Sequence, residues 1–329
     1  MMDQLIERFA EQLREAVEIG KNAKISRPQH EINKVYVAGL GGSGIGGDFA
    51  AEFVKNKCKV PVLTGKGYDV PAYVDKNTLV VTSSYSGNTE ETLSAFDQLM
   101  KTGAKVVVLS SGGRLIELAK EHQLDFIQVP GDWPSPRACL GYSMVQQMFI
   151  LHYCGLIDDS FISDLIAAAD LVDREDADVR TRARQIAGIL NEKTPVIYIA
   201  DSMEAVAIRL RQQINENSKM LCWHHVIPEM NHNELVGWRD QRKDVAVLML
   251  RNRTDHPRVQ MRMDINKEII TEYTDTMIEV YSKGSSFIQR AIYLVYLGDW
   301  ISFYLADLRN MDSIEVKVID FLKSELAKQ

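Results

Sequence analysis

A glycine-rich stretch near the N-terminus constrains the fold more than any other part of the chain. The run at residues 35–38 predicts a strand, six glycines lie between residues 39 and 47, and residues 45–56 are predicted to form a helix. Glycine lets backbone N–H groups approach a ligand where a β-carbon would clash, and a helix N-terminus adds unpaired donors and a partial positive charge. This order predicts a cradle for an anionic group, for which phosphate is the best match. The predicted phosphate cradle consists of Gly41, Gly42, Ser43 and Gly44.

The same stretch also matches the dinucleotide-binding pattern G-x-G-x-x-G, through Gly39, Gly41 and Gly44. Proteins that bind NAD by this pattern carry an acidic residue about 20 positions further on, where it binds the ribose hydroxyls. Here the next strand is predicted at residues 60–63, and residues 64–67 after it (Thr-Gly-Lys-Gly) contain no acid. The sequence therefore argues against NAD, and we predict no cofactor.

Short apolar strands alternate with helices along the whole chain. In the first half, further strands are predicted at residues 78–82, 105–109 and 125–129, and further helices at 89–102, 113–121 and 137–154. The second half repeats the pattern, with strands at 195–200, 244–250 and 276–281 and helices at 203–217, 257–271 and 284–307. This alternation predicts an α/β fold with two parallel, doubly wound sheets, whose ligands bind beyond the carboxyl ends of the strands.

The restart of the pattern predicts the domain organisation. We expect an N-terminal domain at residues 1–154, a helical connector at 155–192 and a C-terminal domain at 193–329. The connector contains a charge run at residues 170–176, which predicts a solvated helix face. Only the first half carries a glycine-rich loop, so we predict one phosphate site per chain.

Composition narrows the class of function. The 329-residue chain has a net charge of −7 and no run of Lys or Arg, so binding to nucleic acid or to a membrane surface is not expected. No uninterrupted apolar segment reaches the ~18 residues of a membrane span. The first residues predict an amphipathic helix and not a signal peptide. The cysteines are few and widely spaced, which predicts buried free thiols and a cytoplasmic protein.

A second polar motif directly follows the predicted strand 78–82. It reads S-Y-S-G-N-T-E-E-T, and the hydroxyls of Ser84, Ser86 and Thr89 can point into one loop together with the first amides of the next helix. These groups form a dense set of neutral donors for a phosphate monoester. A plain helix cap would explain Ser86 or Thr89 alone, but not three hydroxyls and a glycine beside a second glycine-rich loop.

The motifs at residues 41–48 (GGSGIGGD) and 84–92 resemble those of the sugar isomerase (SIS) domain, and within that class those of the bifunctional phosphoglucose/phosphomannose isomerases. Three later motifs support the narrower resemblance, which covers nearly the whole chain: S-P-R-A with G-Y-S at 135–143, Q-I-N-E-N-S-K at 213–219 and P-E-M-N-H-N-E at 228–234. The resemblance implies two SIS domains in a homodimer with shared active sites. It also implies interconversion of glucose 6-phosphate, and of mannose 6-phosphate, with fructose 6-phosphate, without a metal or nucleotide.

The resemblance also implies which residues act on the sugar. Isomerisation moves a proton between C1 and C2 of the open-chain sugar phosphate through an enediolate. Glu216 is predicted to be the base, because a carboxylate partly removed from water has a raised pKa that suits proton transfer. His232 is predicted to open the ring near pH 7, reaching the site from the partner subunit. Arg137 is predicted to stabilise the enediolate.

Two residues on the last core helix are predicted substrate contacts, because the resembling family tends to have a hydroxyl residue and a cation there. Ser302 and Arg309 are seven positions apart, which is two helical turns, and so share a face. A metal site is the alternative use of four residues that are close in sequence, His224, His225, Glu229 and His232. Pro228 would break the helix needed to place those residues on one face, so we predict no metal.

Two alternatives remain open at this point. One is an isomerase that acts on a single epimer or on an amino-sugar phosphate. The other is a sensor that binds a sugar phosphate without catalysis, which would need the phosphate cradle but not Glu216, His232 and Arg137 together. Such a sensor usually carries a DNA-binding or other output segment, and the sequence contains no recognisable one.

Overall fold

Residues 1–328 are described by a computed structural model, in which the chain forms two compact units. The N-terminal unit comprises Arg8–Asp173 and Gly284–Gln289. The C-terminal unit comprises Met1–Glu7, Arg174–Lys283 and the chain from Arg290 onward. Each unit contains one parallel sheet flanked by helices, which confirms the predicted α/β class.

The described residues form the following strands and helices. The strands are β1 Lys34–Ala38, β2 Val62–Gly65, β3 Thr78–Ser83, β4 Lys105–Ser110, β5 Asp125–Gln128, β6 Thr194–Ala200, β7 Trp223–Ile227, β8 Val245–Arg251 and β9 Met277–Tyr281. The α-helices are α1 Met2–Glu7, α2 Phe9–Lys21, α3 Gly41–Val54, α4 Glu90–Leu99, α5 Gly113–Glu121, α6 Leu140–Tyr153, α7 Ser160–Leu190, α8 Glu204–Ser218, α9 Pro257–Thr271, α10 Phe287–Leu308 and α11 Lys317–Leu326.

The sheet of the N-terminal unit has the strand order β2-β1-β3-β4-β5, and all of its pairs are parallel. Helices cover both faces of such a sheet, so its strands are apolar on both faces. Accordingly, β3 is buried along its whole length. One face packs on the helices α4 and α5 through a core that includes Tyr36, Val80, Val108, Phe96 and Leu115.

Helix α3 begins at Gly41, inside the glycine run that the sequence predicts to be a loop. Several of the glycines instead let this helix pack closely. A β-carbon on Gly44 would lie 2.4 Å from the carbonyl oxygen of Gly39, and one on Gly46 would lie 2.1 Å from Oγ of Ser143. The predicted start of this helix at residue 45 was therefore wrong, because packing glycines look like loop glycines in the sequence.

The sheet of the C-terminal unit has the order β7-β6-β8-β9 and is again parallel throughout. Its central strands β6 and β8 are almost completely buried, and their side chains form a core with Met230, Met263 and Ile270. Periodicity does not predict the edge strand β7. Trp223 is exposed, the next three residues are partly buried and Ile227 is buried, so the strand shows neither a continuous apolar run nor a clear alternation.

The predicted helical connector contains the single helix α7. Its charge run is more than a solvated face, because several of its acids form ion pairs. Nη2 of Arg14 lies 2.7 Å from carboxylate oxygens of both Asp170 and Asp173. Nζ of Lys283 lies 2.6 Å from the carboxylate of Glu175.

Helix α10 is long and apolar enough to cross a membrane by composition alone. However, 83% of its most apolar window is buried inside the protein, which is typical of a core helix. The cysteines of the described residues form no disulfide. Cys139 and Cys154 are buried, whereas Cys58 and Cys222 are partly exposed, so the prediction of buried thiols holds for two of the four.

Candidate active site

The N-terminal unit has a topological switch point between β1 and β3. These strands are neighbours in the sheet, but the chain continues from β1 to β2 on one side and from β3 to β4 on the other. The loops that leave their carboxyl ends therefore diverge and leave a crevice, the usual ligand site of such sheets. The phosphate cradle follows β1 and the 84–89 loop follows β3, so both predicted motifs lie at this crevice.

The phosphate cradle forms the first turn of α3. The N–H groups of Ser43 and Gly44 both donate to the carbonyl of Leu40 at 3.1 Å, so the helix closes there. Gly41 has a φ of +52°, which favours glycine, and a β-carbon on it would meet open space. The amides of Gly41 and Gly42 precede the first intrahelical bond and can serve an anion.

The hydroxyl-rich loop after β3 joins the cradle through hydrogen bonds. The backbone N–H of Tyr85 donates to Oγ of Ser43 at 3.1 Å. The hydroxyls of Ser84 and Thr89 are 2.8 Å apart and hydrogen-bonded to each other. Ser86 is exposed, and its Oγ accepts from the amide of Asn88 at 3.3 Å. The structure thus brings Ser43, Ser84 and Thr89 together.

Thr89 is the residue before α4, but its hydroxyl does not cap the helix. It bonds to Ser84 instead, which leaves the first-turn amides of α4 without a cap from this side chain. The capping explanation of this threonine is therefore wrong for the structure. A side chain in cap position that does not cap is consistent with a helix N-terminus reserved for an anion.

The loop after β4, at residues 111–112, packs against the 84–89 loop and fixes its shape. Gly87 has a φ of +70°, and a β-carbon on it would lie 1.9 Å from the carbonyl oxygen of Gly112. The backbone N–H and the hydroxyl of Ser111 both donate to the carbonyl of Tyr85, at 3.0 and 2.6 Å. The close approach of Gly87 to Gly112 leaves no room for a larger residue at position 87.

Arg137 lies beside the cradle, on the short 3-10 helix Pro136–Ala138, and is only 7% exposed. A β-carbon on Gly42 would lie 3.4 Å from the carbonyl oxygen of Pro136 and 3.9 Å from Cα of Arg137. The arginine segment and the cradle are therefore neighbours within one unit. A guanidinium on this segment can stabilise negative charge on a substrate bound there.

Sequence reasoning missed the residue that holds this segment, Gln12. Its side chain is fully buried, Nε2 donates to the carbonyl of Ala138 at 2.9 Å, and Oε1 accepts from the amide of Gly141 at 2.7 Å. It therefore ties the turn that carries Arg137 to α2. No local pattern marks Gln12, because a polar residue on a predicted amphipathic helix is expected on the solvated face.

A second residue that was missed is Lys66, just after β2. Its Cε would lie 3.3 Å from a β-carbon on Gly44, and its ammonium forms an ion pair with Asp48. Asp48 also accepts from the hydroxyl of Thr64 at 2.7 Å. The lysine adds a cation near the cradle, and its place after a parallel strand was the signal in the sequence.

Glu216 lies in the last turn of α8 in the C-terminal unit and is half-buried. The residues that follow it are fixed from α10. Nδ2 of Asn217 donates to Oγ of Ser302 at 2.9 Å, and Oγ of Ser218 donates to the carbonyl of Ser302 at 2.7 Å. Nε of Arg309 donates to the carbonyl of Ser218 at 3.2 Å. Ser302 and Arg309 thus hold the end of the helix that carries Glu216, and their contact with substrate remains a prediction.

Lys219 ends α8 in the left-handed conformation, with a φ of +55°. Its ammonium donates to the carbonyls of Glu216, Asp312 and Glu315 at 2.6, 2.8 and 2.8 Å. A lysine has three donors, and here all three contact backbone oxygens. The position of Glu216 is therefore fixed to the segment that precedes α11.

His232 is exposed, at the end of the 3-10 helix Glu229–His232 in the C-terminal unit. The neighbouring histidines have separate partners: Nε2 of His224 lies 3.4 Å from Glu204, and Nδ1 of His225 lies 2.8 Å from Glu234. Burial, together with the nearby guanidinium of Arg211, lowers the pKa of His224. Across residues 1–328, no group of three or more His, Cys, Asp or Glu residues is arranged to hold a metal ion.

The fold and the hydroxyl-lined cradle define a protein of the SIS class. Residues 30–153 match the family described as SIS domain, and residues 180–326 match the bacterial phospho-glucose isomerase C-terminal SIS domain. The chain belongs to the bifunctional phosphoglucose/phosphomannose isomerase family. It is 41% identical to the protein of that name from Caldicellulosiruptor bescii, over 97% of this chain and 96% of the relative.

Other similarities agree with this assignment. The bifunctional phosphoglucose/phosphomannose isomerase of Aquifex aeolicus is 35% identical, over 89% of this chain and 90% of the relative. Among solved structures, the C-terminal domain of glucosamine-fructose-6-phosphate aminotransferase from Francisella tularensis superposes with a TM-score of 0.75. That match has 14% identity and covers 95% of this chain and 97% of the other, so it shows the shared fold only.

We expect the hydroxyls of the 84–89 loop to contribute to phosphate affinity. Thr89→Ala should weaken binding of a sugar phosphate by about 1–3 kcal/mol, because it removes a hydrogen bond to a charged group. The same range is expected for Ser86→Ala. Competition by inorganic phosphate against the substrate measures the effect.

Binding of unphosphorylated glucose should be equally poor before and after these changes, because the hydroxyls serve the phosphate. Ser94 lies on α4, outside the 84–89 loop, at a partly buried position. Ser94→Ala is therefore the matched control and should bind substrate like the wild type. If inorganic phosphate did not compete with the substrate at all, the cradle assignment would be wrong.

Proposed function

We propose that the protein interconverts glucose 6-phosphate and mannose 6-phosphate with fructose 6-phosphate. The observation that carries the proposal is the cluster of Ser43, Ser84 and Thr89 hydroxyls at the β1/β3 switch point, next to Arg137. In this proposal the hydroxyls donate to the phosphate monoester, and Arg137 supplies a cation near the sugar carbons. Two relatives that match 97% and 89% of this chain are both named bifunctional phosphoglucose/phosphomannose isomerase, which supports this substrate class.

The proposed reaction assigns one task to each group. The phosphate cradle and the 84–89 loop hold the phosphate, and His232 passes a proton that opens the sugar ring. Glu216 then takes the proton from C2 of the aldose and returns it to C1, while a hydroxyl proton moves from O2 to O1. Arg137 stabilises the enediolate between these steps, a contribution of roughly 3 kcal/mol for a well-placed charge.

The proposal includes a cytoplasmic homodimer in which His232 serves the partner subunit's site. The exposed position of His232 supports this arrangement, because the side chain is accessible to a second protein chain. In a two-fold dimer the same surface acts on both protomers, so each chain would give one histidine and receive one. We propose no nucleic acid, membrane or metal partner.

The function is tested by offering three substrates to the purified protein in parallel. Glucose 6-phosphate and mannose 6-phosphate should both yield fructose 6-phosphate, and glucosamine 6-phosphate should stay unchanged, as followed by NMR. Turnover of one epimer alone would favour the single-epimer alternative. Binding of all three without turnover would favour a sensor and contradict the proposed isomerase.

A further inference from the structure

The segment after β7 is held to the sheet by the carboxylate of Glu234, which contacts side chains of β6 and β7. Oε1 of Glu234 accepts from the hydroxyl of Tyr198 at 2.6 Å and from Nε1 of Trp223 at 3.2 Å. Oε2 of Glu234 lies 2.8 Å from Nδ1 of His225. Nε1 of Trp238 in turn donates to the Tyr198 hydroxyl at 3.1 Å. One side chain therefore connects strands β6 and β7 with the segment that runs past His232.

The other side of His232 is fixed independently on α9. Nδ2 of Asn231 donates to Oδ1 of Asn266 at 2.7 Å, and Nη1 of Arg262 donates to Oδ1 of Asn231 at 3.4 Å. The preceding residue, Met230, is completely buried in the core of the unit. The exposed His232 thus lies between Asn231, which is hydrogen-bonded to α9, and Glu234, which is hydrogen-bonded to β6 and β7.

Short 3-10 helices have poor hydrogen-bond geometry and little stability of their own. The 3-10 helices Glu229–His232 and Glu234–Gly237 flank Asn233, so the local backbone alone would not fix the direction of an exposed imidazole. Burial and the adjacent Glu234 raise the pKa of Tyr198, which keeps its hydroxyl protonated as a donor. Asn233 itself bonds within the segment, donating to Glu229 at 3.1 Å, whereas the Glu234 contacts connect the side of His232 toward the C-terminus to strands β6 and β7.

We propose that Glu234 is the positioning residue for His232, acting through its bonds to Tyr198, Trp223 and His225. The inference rests on the proposed function, in which His232 opens the sugar ring. Glu234 itself does not touch the reacting atoms in this scheme. It orients the segment, and its loss should matter only when His232 is present to be oriented.

The test uses Glu234→Gln, with Glu229→Gln as the matched control. Glu229 lies on the same segment, is exposed and meets the side chain of Asn233. We expect kcat on glucose 6-phosphate to fall about 10–100-fold in Glu234→Gln, since a displacement near 1 Å can cost about that much. The control should keep wild-type kcat. Inhibition by arabinonate 5-phosphate, an open-chain acid that needs no ring opening, should be unchanged in both.

A double-mutant cycle distinguishes positioning from a general loss of structure. In a His232→Ala background, Glu234→Gln should cause no further loss of kcat, because residues that act as one unit are not additive. A full additional loss in that background would overturn the inference, as would wild-type kcat in Glu234→Gln alone. Tyr198→Phe removes one of the three donors without a change in size, and it should show a smaller loss of the same kind.

These outcomes separate the inference from the function on which it rests. A wild-type protein without isomerase activity would overturn both. An active wild-type enzyme whose Glu234→Gln variant is unaffected would overturn the positioning role alone. Thermal melting of each variant, compared with Glu229→Gln, shows whether a loss of kcat reflects unfolding. If Glu234→Gln is unfolded at the assay temperature, the test passes to Tyr198→Phe. A Tyr198→Phe variant that is folded and fully active would then contradict the proposal.

Discussion

Glu216→Gln should reduce isomerisation by at least ~100-fold, the low end for loss of a general base. The amide has nearly the same shape as the carboxylate but cannot accept the proton from C2. Affinity for a phosphorylated inhibitor should barely change, because the cradle residues lie elsewhere in the chain. The measurement is kcat on glucose 6-phosphate together with an inhibition constant, and near-normal turnover would remove Glu216 from this role.

The matched control is Glu272→Gln, an exposed carboxylate directly after α9 in the same unit. It should keep wild-type kcat, because a solvated glutamate outside the site accepts no proton from the substrate. A second control follows from the geometry of α8. Ser302→Ala removes the hydrogen bond to Asn217 next to Glu216, and we expect a smaller loss than in Glu216→Gln, because the base itself is still present.

The same variant tests whether the sites are shared between subunits. Glu216→Gln and His232→Ala homodimers should each be nearly inactive. If subunits exchange at random, half of the dimers become mixed, and each mixed dimer has one intact site and one doubly altered site. Activity should then recover to about a quarter of wild type, as two-fold symmetry requires. No recovery after proven exchange would contradict the shared site but not the isomerase assignment.

The sheets could be predicted because parallel strands covered on both faces must be apolar throughout. β3 and β8 are buried along their whole length, and both were predicted nearly to their ends. Edge strand β7 was not predicted, because its sequence (Trp-His-His-Val-Ile) contains two histidines and forms neither a continuous apolar run nor an alternating pattern. The other edge strands, β2, β5 and β9, are also only partly buried, but a strand was predicted at or near each of them, so partial burial alone does not prevent the prediction.

The glycine run shows a different limit. Its sequence predicts close backbone approach, and this is correct: Gly44 lies against Gly39, and Gly46 lies against Ser143. It does not say whether the approaching group is a ligand or another part of the protein. Gly41, with its positive φ and open surroundings, is the one position in this run where the cradle interpretation has its clearest structural support.

Contacts across long sequence separations were beyond any reading of local pattern. Gln12 bonds to Ala138 and Gly141 across more than a hundred residues, and nothing near position 12 marks that partner. Ser302 and Arg309 were predicted to share a helix face from their spacing. Both do contact the end of α8, although the contacts that the structure gives are to Asn217 and Ser218.

Arg209→Met should be the most destabilising of the changes considered. Arg209 on α8 and Asp299 on α10 form a bidentate pair, with Nε–Oδ1 and Nη2–Oδ2 distances of 3.2 and 2.9 Å. The two side chains are only 3% and 9% exposed. Removing the guanidinium leaves a buried carboxylate without its partner, which typically costs about 3–5 kcal/mol. Arg242→Met, which breaks the solvent-exposed pair with Asp244, is the control and should change stability little.

The cost arises from the carboxylate that is left behind and not from the lost attraction, and this makes a rescue possible. Arg209→Met combined with Asp299→Leu removes both charges and keeps similar volumes, so most of the lost stability should return, because apolar replacements of buried pairs are often neutral or better. Urea unfolding of the single and double variants measures the difference. Equal destabilisation in both would show that packing at this place, rather than the unpaired charge, sets the cost.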